Sequence, residues 1–230
     1  MITPIQKSKI EQVINVFETS SPEGKYDALV KFKDYEDPTT KSRITQITFG
    51  RSQVTEFGNL KSLINAYNEH NGQYASFLNQ YINKIGKQPS LSTDQAFCDA
   101  LKRAGKTDPV MRTCQDELFD SLYYLPALGW FKEMGFTLPL SLLVIYDSII
   151  HSGSIMTFLR QRFSEKAPIK GGNEKIWIEQ YVDVRNSWLA NHSNEILRNT
   201  VYRTACLKQQ IKNNNWDLSM PVTTQGHTIA

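Results

Sequence analysis

Long apolar runs are missing from this 230-residue chain. That leaves no room for a membrane-spanning helix, which needs about 18 or more consecutive apolar residues. The most apolar stretch, Leu138 to Ile150, is broken by Pro139, Ser141, Asp147 and Ser148 and reads as a buried core helix. Cysteine is scarce. An odd count of three argues against a disulfide framework. Cys98 and Cys114 flank a turn at Gly105 and Asp108-Pro109, where a bridge and two free thiols are both open; Cys206 lies in a helical pattern as a buried thiol. The four histidines (His70, His151, His192, His227) are dispersed, and no Cys/His spacing suits zinc. Neither a metal nor a cofactor is therefore expected. Charge of one sign is lacking too: 26 basic against 23 acidic residues leave a scattered +3, too little to argue for nucleic acid. No internal repeat is found, and Met1 passes almost at once into an amphipathic pattern rather than a secretory leader.

What is present is an ordinary globular composition, 40% hydrophobic and 21% charged, with mostly helical periodicity. Thr3-Pro4 opens a first helix whose apolar positions, Ile5, Ile10, Val13, Ile14 and Phe17, lead to Glu18. Ile44 to Phe49, β-branched and closed by Gly50, reads as a strand after an uncertain Tyr26 to Phe32 and an Asp34 to Ser42 loop. Helices are expected at Leu60 to Tyr67, Tyr74 to Ile85, after a cap at Ser92 or Thr93, Val110 to Tyr124, Leu138 to His151, Ile155 to Phe163, Ile176 to Asn191 and Asn194 to Lys212. Residues 126–137 read as a Gly- and aromatic-rich connector, and Asn213 to Ala230 as a tail over the surface. The fold class is mainly α, with one small β-ribbon near residues 26 to 50.

The stretch Glu18 to Gly58 concentrates the candidate chemistry. A carboxylate ends a helix, and an acidic group, Asp34, Glu36 and Asp37, precedes a strand. Two opposed carboxylates are how a glycosidase brackets a sugar–sugar bond. A helix end followed by a solvated acidic loop describes the same residues.

Three groups of residues resemble glycoside hydrolase family 46, the chitosanases of the lysozyme-like superfamily. They are Glu18-Thr19-Ser20-Ser21 with the acidic loop and Ile44-Thr45; Tyr146-Asp147 through His151-Ser152-Gly153; and Gly171-Gly172-Asn173-Glu174, Tyr181 to Arg185, Arg203 and Asn215 to Leu218. The resemblance spans nearly the whole chain. It implies an α+β lysozyme-like fold: one catalytic domain over 1–230, with two helical lobes around a substrate cleft, the minor lobe with its β-ribbon covering about 19–60 and the major lobe the remainder.

The implied reaction is endo-acting, inverting hydrolysis of β-1,4 bonds between amino sugars. Glu18 would be the acid, Asp37 the base and Thr45 the residue that positions water. Arg43, Gln53 and Asn59 would meet substrate, and Asp147, Arg198 and Arg203 would form supporting ion pairs. Such an acid must hold its proton at working pH, which apolar neighbours favour, and Val16 and Phe17 precede Glu18. Where the family reads Gly-Asp-Gly-Arg-Gly this chain has Glu36-Asp37-Pro38, so Asp34 and Glu36 remain alternative bases. Asn59 stands where the family carries an Asp that reads the amine of chitosan. Gly50-Arg51-Ser52-Gln53 with Gly58-Asn59-Leu60 is also similar to peptidoglycan hydrolases.

The expected partner is accordingly a polysaccharide, chitosan or peptidoglycan, met by a secreted monomer in the periplasm or outside the cell. A peptidoglycan muramidase acting in lysis or bacterial competition, with an inhibitor or immunity protein, is the second reading. An inactive polysaccharide-binding module is the third. Either the chain is a mature domain, or export uses another route such as phage lysis or a secretion machine.

Overall fold

A computed structural model describes residues 2–51 and 53–230. Met1 and Ser52, the latter inside the Gly50 to Gln53 run, lie outside the described residues. The chain forms two compact units, a contiguous one, Lys25–Asp120, and a discontinuous one, Met1–Gly24 with Ser121–Ala230.

The discontinuous unit opens with α1 (Pro4–Thr19). The contiguous unit carries β1 (Leu29–Glu36), β2 (Arg43–Phe49), β3 (Val54–Thr55), α2 (Leu60–Glu69), α3 (Ala75–Asn79), α4 (Gln95–Thr107) and α5 (Pro109–Phe119). The discontinuous unit then resumes with α6 (Leu125–Glu133), α7 (Pro139–Ser152), α8 (Thr157–Arg160), α9 (Glu174–Ala190), α10 (Glu195–Arg198) and α11 (Val201–Lys212). It closes with β4 (Val222–Thr224) and β5 (His227–Ile229).

In the discontinuous unit α1 begins as its sequence dictates. Thr3 Oγ1 accepts from Gln6 N at 3.2 Å while Gln6 Oε1 accepts from Thr3 N at 2.9 Å, a reciprocal cap ahead of Pro4. Ser20, at φ 52°, ends the helix by donating its N–H to Val16 O. Helix α7 is buried on all sides from Pro139 to Ser148, as its apolar run predicts. Gly153 stops it at φ 76°, where a side chain would be strained. The expected surface tail is instead a hairpin. Gln225 and Gly226 both have positive φ (46° and 79°), which fits the two-residue turn joining β4 to β5, and Val222 and Ile229 turn inward.

The contiguous unit has a sheet in the order β1–β2–β3, all antiparallel. Ile47 and Phe49 enter a core with Leu60, Leu63, Phe97, Leu101 and Met111. β1 begins at Leu29, which settles the uncertain segment as strand, and it extends to Glu36, into the expected loop.

Other boundaries differ for local reasons. The expected connector at 126–137 is helical to Glu133: Pro126 suits a first turn, Ala127 and Phe131 are buried four residues apart, and Gly129 faces open space. The Tyr74 to Ile85 helix stops at Asn79, and bonds such as Tyr81 N to Leu78 O continue it only as turns. The Ile155 to Phe163 helix is confined to Thr157–Arg160 because the Arg160 guanidinium draws back the Phe163 and Glu165 carbonyls (3.0 and 2.6 Å). The Asn194 to Lys212 helix breaks at Asn199-Thr200. The cap of α4 is Asp94, not Ser92 or Thr93, through a 3.0 Å bond from Phe97 N.

All three cysteines are free and buried, so Cys98 and Cys114 are not bridged. They sit in α4 and α5 as small apolar members of the core. Burial also raises the thiols' pKa, to about 11 for Cys114 and Cys206. An aromatic disulfide reagent should find three thiols per chain in denaturant without reductant, and almost none in the native protein. A denatured count of one would restore the bridge.

Candidate functional site

Glu18 belongs to the buried stripe of α1. Ile10, Ile14 and Glu18 recur every four residues, so the side chain that ends the stripe is carried inward and is 19% exposed. Its Oε1 accepts from Arg203 Nη2 at 2.7 Å. The same guanidinium gives its Nε to Asp147 Oδ1 at 2.7 Å, and Arg185 Nη1 reaches Asp147 Oδ2 at 2.5 Å. Four helices, α1, α7, α9 and α11, thus each place one charged residue in a single chain of ion pairs. Phe17 lies beneath the Arg203 guanidinium, 5.1 Å from ring centroid to Cζ, and its carbonyl accepts from Tyr202 Oη at 2.9 Å.

Burial works against the Asp147 charge, but Arg203 and Arg185 hold its pKa down at about 2. Burial likewise disfavours a charged Arg203, yet Asp147 and Glu18 hold its pKa above the ordinary value. Burial, followed by the Arg203 and Arg185 charges, pushes His151 down to about 4. His151 is therefore neutral over most of the physiological range.

Arg198, expected in this group, is a correction. Its Nη1 donates to the His192 and Ser193 carbonyls (2.8 and 2.9 Å), and among the described residues it forms no ion pair. It ends the short α10 and ties down the turn before it. Arg185 is the second arginine instead. Its signal was available: Trp177, Tyr181 and Arg185 recur every four residues along α9, placing a cation on a buried face that demands a carboxylate.

The acidic cluster belongs to the contiguous unit. Asp37 opens the β1–β2 turn and is engaged by it. Oδ1 accepts from Thr39 N at 2.9 Å and Thr40 N at 2.7 Å, and Oδ2 from Gln88 Nε2 at 2.5 Å. The Thr40 N–H chiefly holds its pKa below the usual carboxylate range. Glu36 is exposed on the strand, paired in register with Arg43, also exposed. Asp34 accepts through Oδ1 from Gln46 Nε2 at 2.9 Å, and among the described residues its other oxygen has no protein partner.

Strand alternation puts Thr45 on the side of Ile47 and Phe49, opposite Gln46. Its carbonyl accepts from Ser92 Oγ at 3.4 Å. Gln53 is exposed in the left-handed turn between β2 and β3, at φ 49°. Asn59 is exposed at the start of α2 without a side-chain capping bond. The sequence-predicted residues therefore fall into one buried charge chain in the discontinuous unit and one ribbon-borne set in the contiguous unit.

With Asp147 ionising more readily folded than unfolded, its contribution is complete above about pH 3.8 and is lost as pH falls through about 2. That difference is on the order of 2 kcal/mol. The neutral His151 contributes in full above about pH 6.5 and loses its share as pH falls through about 4. Denaturant titrations should show stability declining from pH 6.5 to 4, and His151→Gln should flatten that interval. Asp147→Asn should cost about 3–5 kcal/mol by leaving Arg185 buried without a counter-charge.

Comparison with known proteins gives a consistent picture. Residues 12–222 match the sequence profile of glycosyl hydrolase family 46. A chitosanase from Bacillus subtilis (strain 168) is 27% identical over 234 residues, spanning 94% of this chain and 80% of its own. A mutant chitosanase from Bacillus subtilis MY002, solved in complex with 6 GlcN, superposes with a TM-score of 0.79 at 24% identity over 100% of both chains. A Gynuella sunshinyii family 46 chitosanase in complex with chitotetraose superposes at 0.77 with 23% identity, covering 99% of this chain and 98% of that one. At these identities the two structures establish the fold, which is mainly α with a small antiparallel sheet.

Proposed function

Because the chain belongs to glycosyl hydrolase family 46, and is thus a glycoside hydrolase, we propose that it cleaves β-1,4 bonds within chitosan by an inverting, two-carboxylate mechanism. The observation that carries the reading is Glu18, a carboxyl group turned inward at the end of α1 and aimed by the Arg203 fork. In this reading Glu18 protonates the departing glycosidic oxygen, while a carboxylate of the β-ribbon removes a proton from the water that attacks the opposite face of the sugar ring.

Among the ribbon carboxylates, Asp34 suits the base. A base needs an oxygen lone pair for the water proton, and among the described residues Asp34 keeps one oxygen without a protein partner while the other is oriented. Asp37 has both oxygens occupied by the turn and by Gln88. Glu36 is exposed, and among the described residues it has no orienting hydrogen bond. Arg43, Gln53 and Asn59 offer exposed donors suited to sugar hydroxyls, and Thr45 is the weaker candidate for holding water because it lies on the opposite side of β2 from Gln46. A polymer of this kind is met outside the cell, so secreted action completes the proposal.

Reducing-end release from chitosan and from purified peptidoglycan tests the substrate. Release from chitosan is expected; release from peptidoglycan alone would move the reading to a wall hydrolase, and release from neither would favour a binding module. Glu18→Gln should remove nearly all turnover, and Asp34→Asn should cost about 10²–10⁴-fold. Asp37→Asn should loosen the hairpin with a smaller loss of rate. If Asp37→Asn is the silent variant and Asp34→Asn turns over, the base is Asp37. NMR should find the α-anomer as first product; a β-anomer would exclude inversion.

A further inference from the structure

The ribbon contains an irregularity placed at the candidate base. Phe32 stands opposite Gln46 and Tyr35 opposite Ile44, so β1 spends three steps where β2 spends two. The extra residue is a β-bulge between Phe32 and Tyr35, a device that re-aims a side chain out of strict alternation. Asp34 lies inside it. Its carboxylate reaches Gln46, the residue opposite Phe32, rather than the next position along β2.

Gln46 is built to receive it. The side chain is buried, 6% exposed, and both ends of its amide are engaged. Oε1 accepts from Phe57 N at 3.3 Å, and Nε2 donates to Asp34 Oδ1 at 2.9 Å. A backbone N–H only donates and an ionised carboxylate only accepts, so the amide has one workable orientation. Phe57 is held in turn by stacking on Tyr35, with ring centroids 4.0 Å apart and planes within 8°. The residue that closes the bulge on β1 therefore also fixes the residue that orients Gln46.

From this geometry we propose that Gln46 is a positioning residue for hydrolysis, seating the Asp34 carboxylate so that one oxygen is pinned and the other is presented to water. The inference rests on the reading of Asp34 as base. A neutral amide suits the task, because it orients the carboxylate without setting a cation against it. Asp147, whose role is structural, is held by two arginines instead.

The test is a pair of variants combined with Asp34→Ala and assayed on soluble chitosan. Gln46→Met keeps the side-chain length and removes both bonds. Gln46→Glu keeps an acceptor for Phe57 N but replaces the donor to Asp34 with a second carboxylate, so it turns an attraction into a repulsion. Both should lower kcat by at least about tenfold with KM within about twofold, and Gln46→Glu should also lower the melting temperature because it buries a second carboxylate beside Asp34. In the Asp34→Ala background the same changes should have no further effect on the residual rate, because Gln46 acts through Asp34. Parental kcat in both variants would overturn the proposal, and so would the same tenfold loss persisting after Asp34→Ala. Failure of the underlying reading looks different: Asp34→Ala alone would then turn over at the parental rate.

Discussion

A carboxylate with no exposure, Asp147, sits in a largely apolar helix, and the discontinuous unit is arranged to keep it charged. An isolated charge at such a depth is prohibitively costly, so α9 and α11 must each deliver an arginine to it. Arg203 has a planar fork, and with Nε committed to Asp147 the direction of Nη2 is set as well. Glu18 receives that second prong. The position of the candidate acid is thereby fixed by the requirement to neutralise a different carboxylate, one that need never meet substrate.

Three carboxylates of the contiguous unit are held by another route. Glu56, fully buried, accepts from Ser90 Oγ and Leu91 N at 2.7 Å each and from Ile47 N at 3.4 Å. Asp37 is held by two backbone N–H groups and an amide, and Asp34 by an amide. Neutral donors fix geometry without setting a cation against the carboxylate. Asp147 is thus paired with cations, while Glu56, Asp37 and Asp34 are paired with dipoles.

Much of this was legible in the residues. The cap at Thr3-Pro4, the stripe from Ile10 to Phe17 and the apolar run of α7 are local patterns, and local patterns survive folding. The family resemblance located Glu18, Asp147 and Arg203, which the structure joins. Arg198 was misplaced because a side chain that caps carbonyls and one that pairs with a carboxylate look alike in sequence. Asp34 and Gln46 were not distinguished from their neighbours because a bulge is a register event between two strands, and a single strand's pattern does not record it. The β4–β5 hairpin escaped for a simpler reason: two strands of three residues hold too few positions for alternation to stand out, although Gln225-Gly226 carried the turn.

The two termini of the chain meet on α1. Gln6 Nε2 donates to the Asp217 carbonyl at 3.0 Å, Lys9 Nζ to that of Met220 at 2.8 Å, and Ser20 Oγ lies 3.3 Å from Gln225 Oε1. Helix α1 is thus separated in sequence from these partners: Arg203 and the β4–β5 hairpin follow it by about 180 residues or more. Lys25–Asp120, by contrast, holds its contacts within one continuous stretch and has them available mid-synthesis. The helix bearing Glu18 therefore depends on the distant end of the chain, and its closure is a long-range event in sequence, while the ribbon's acidic set depends on neighbours within that stretch.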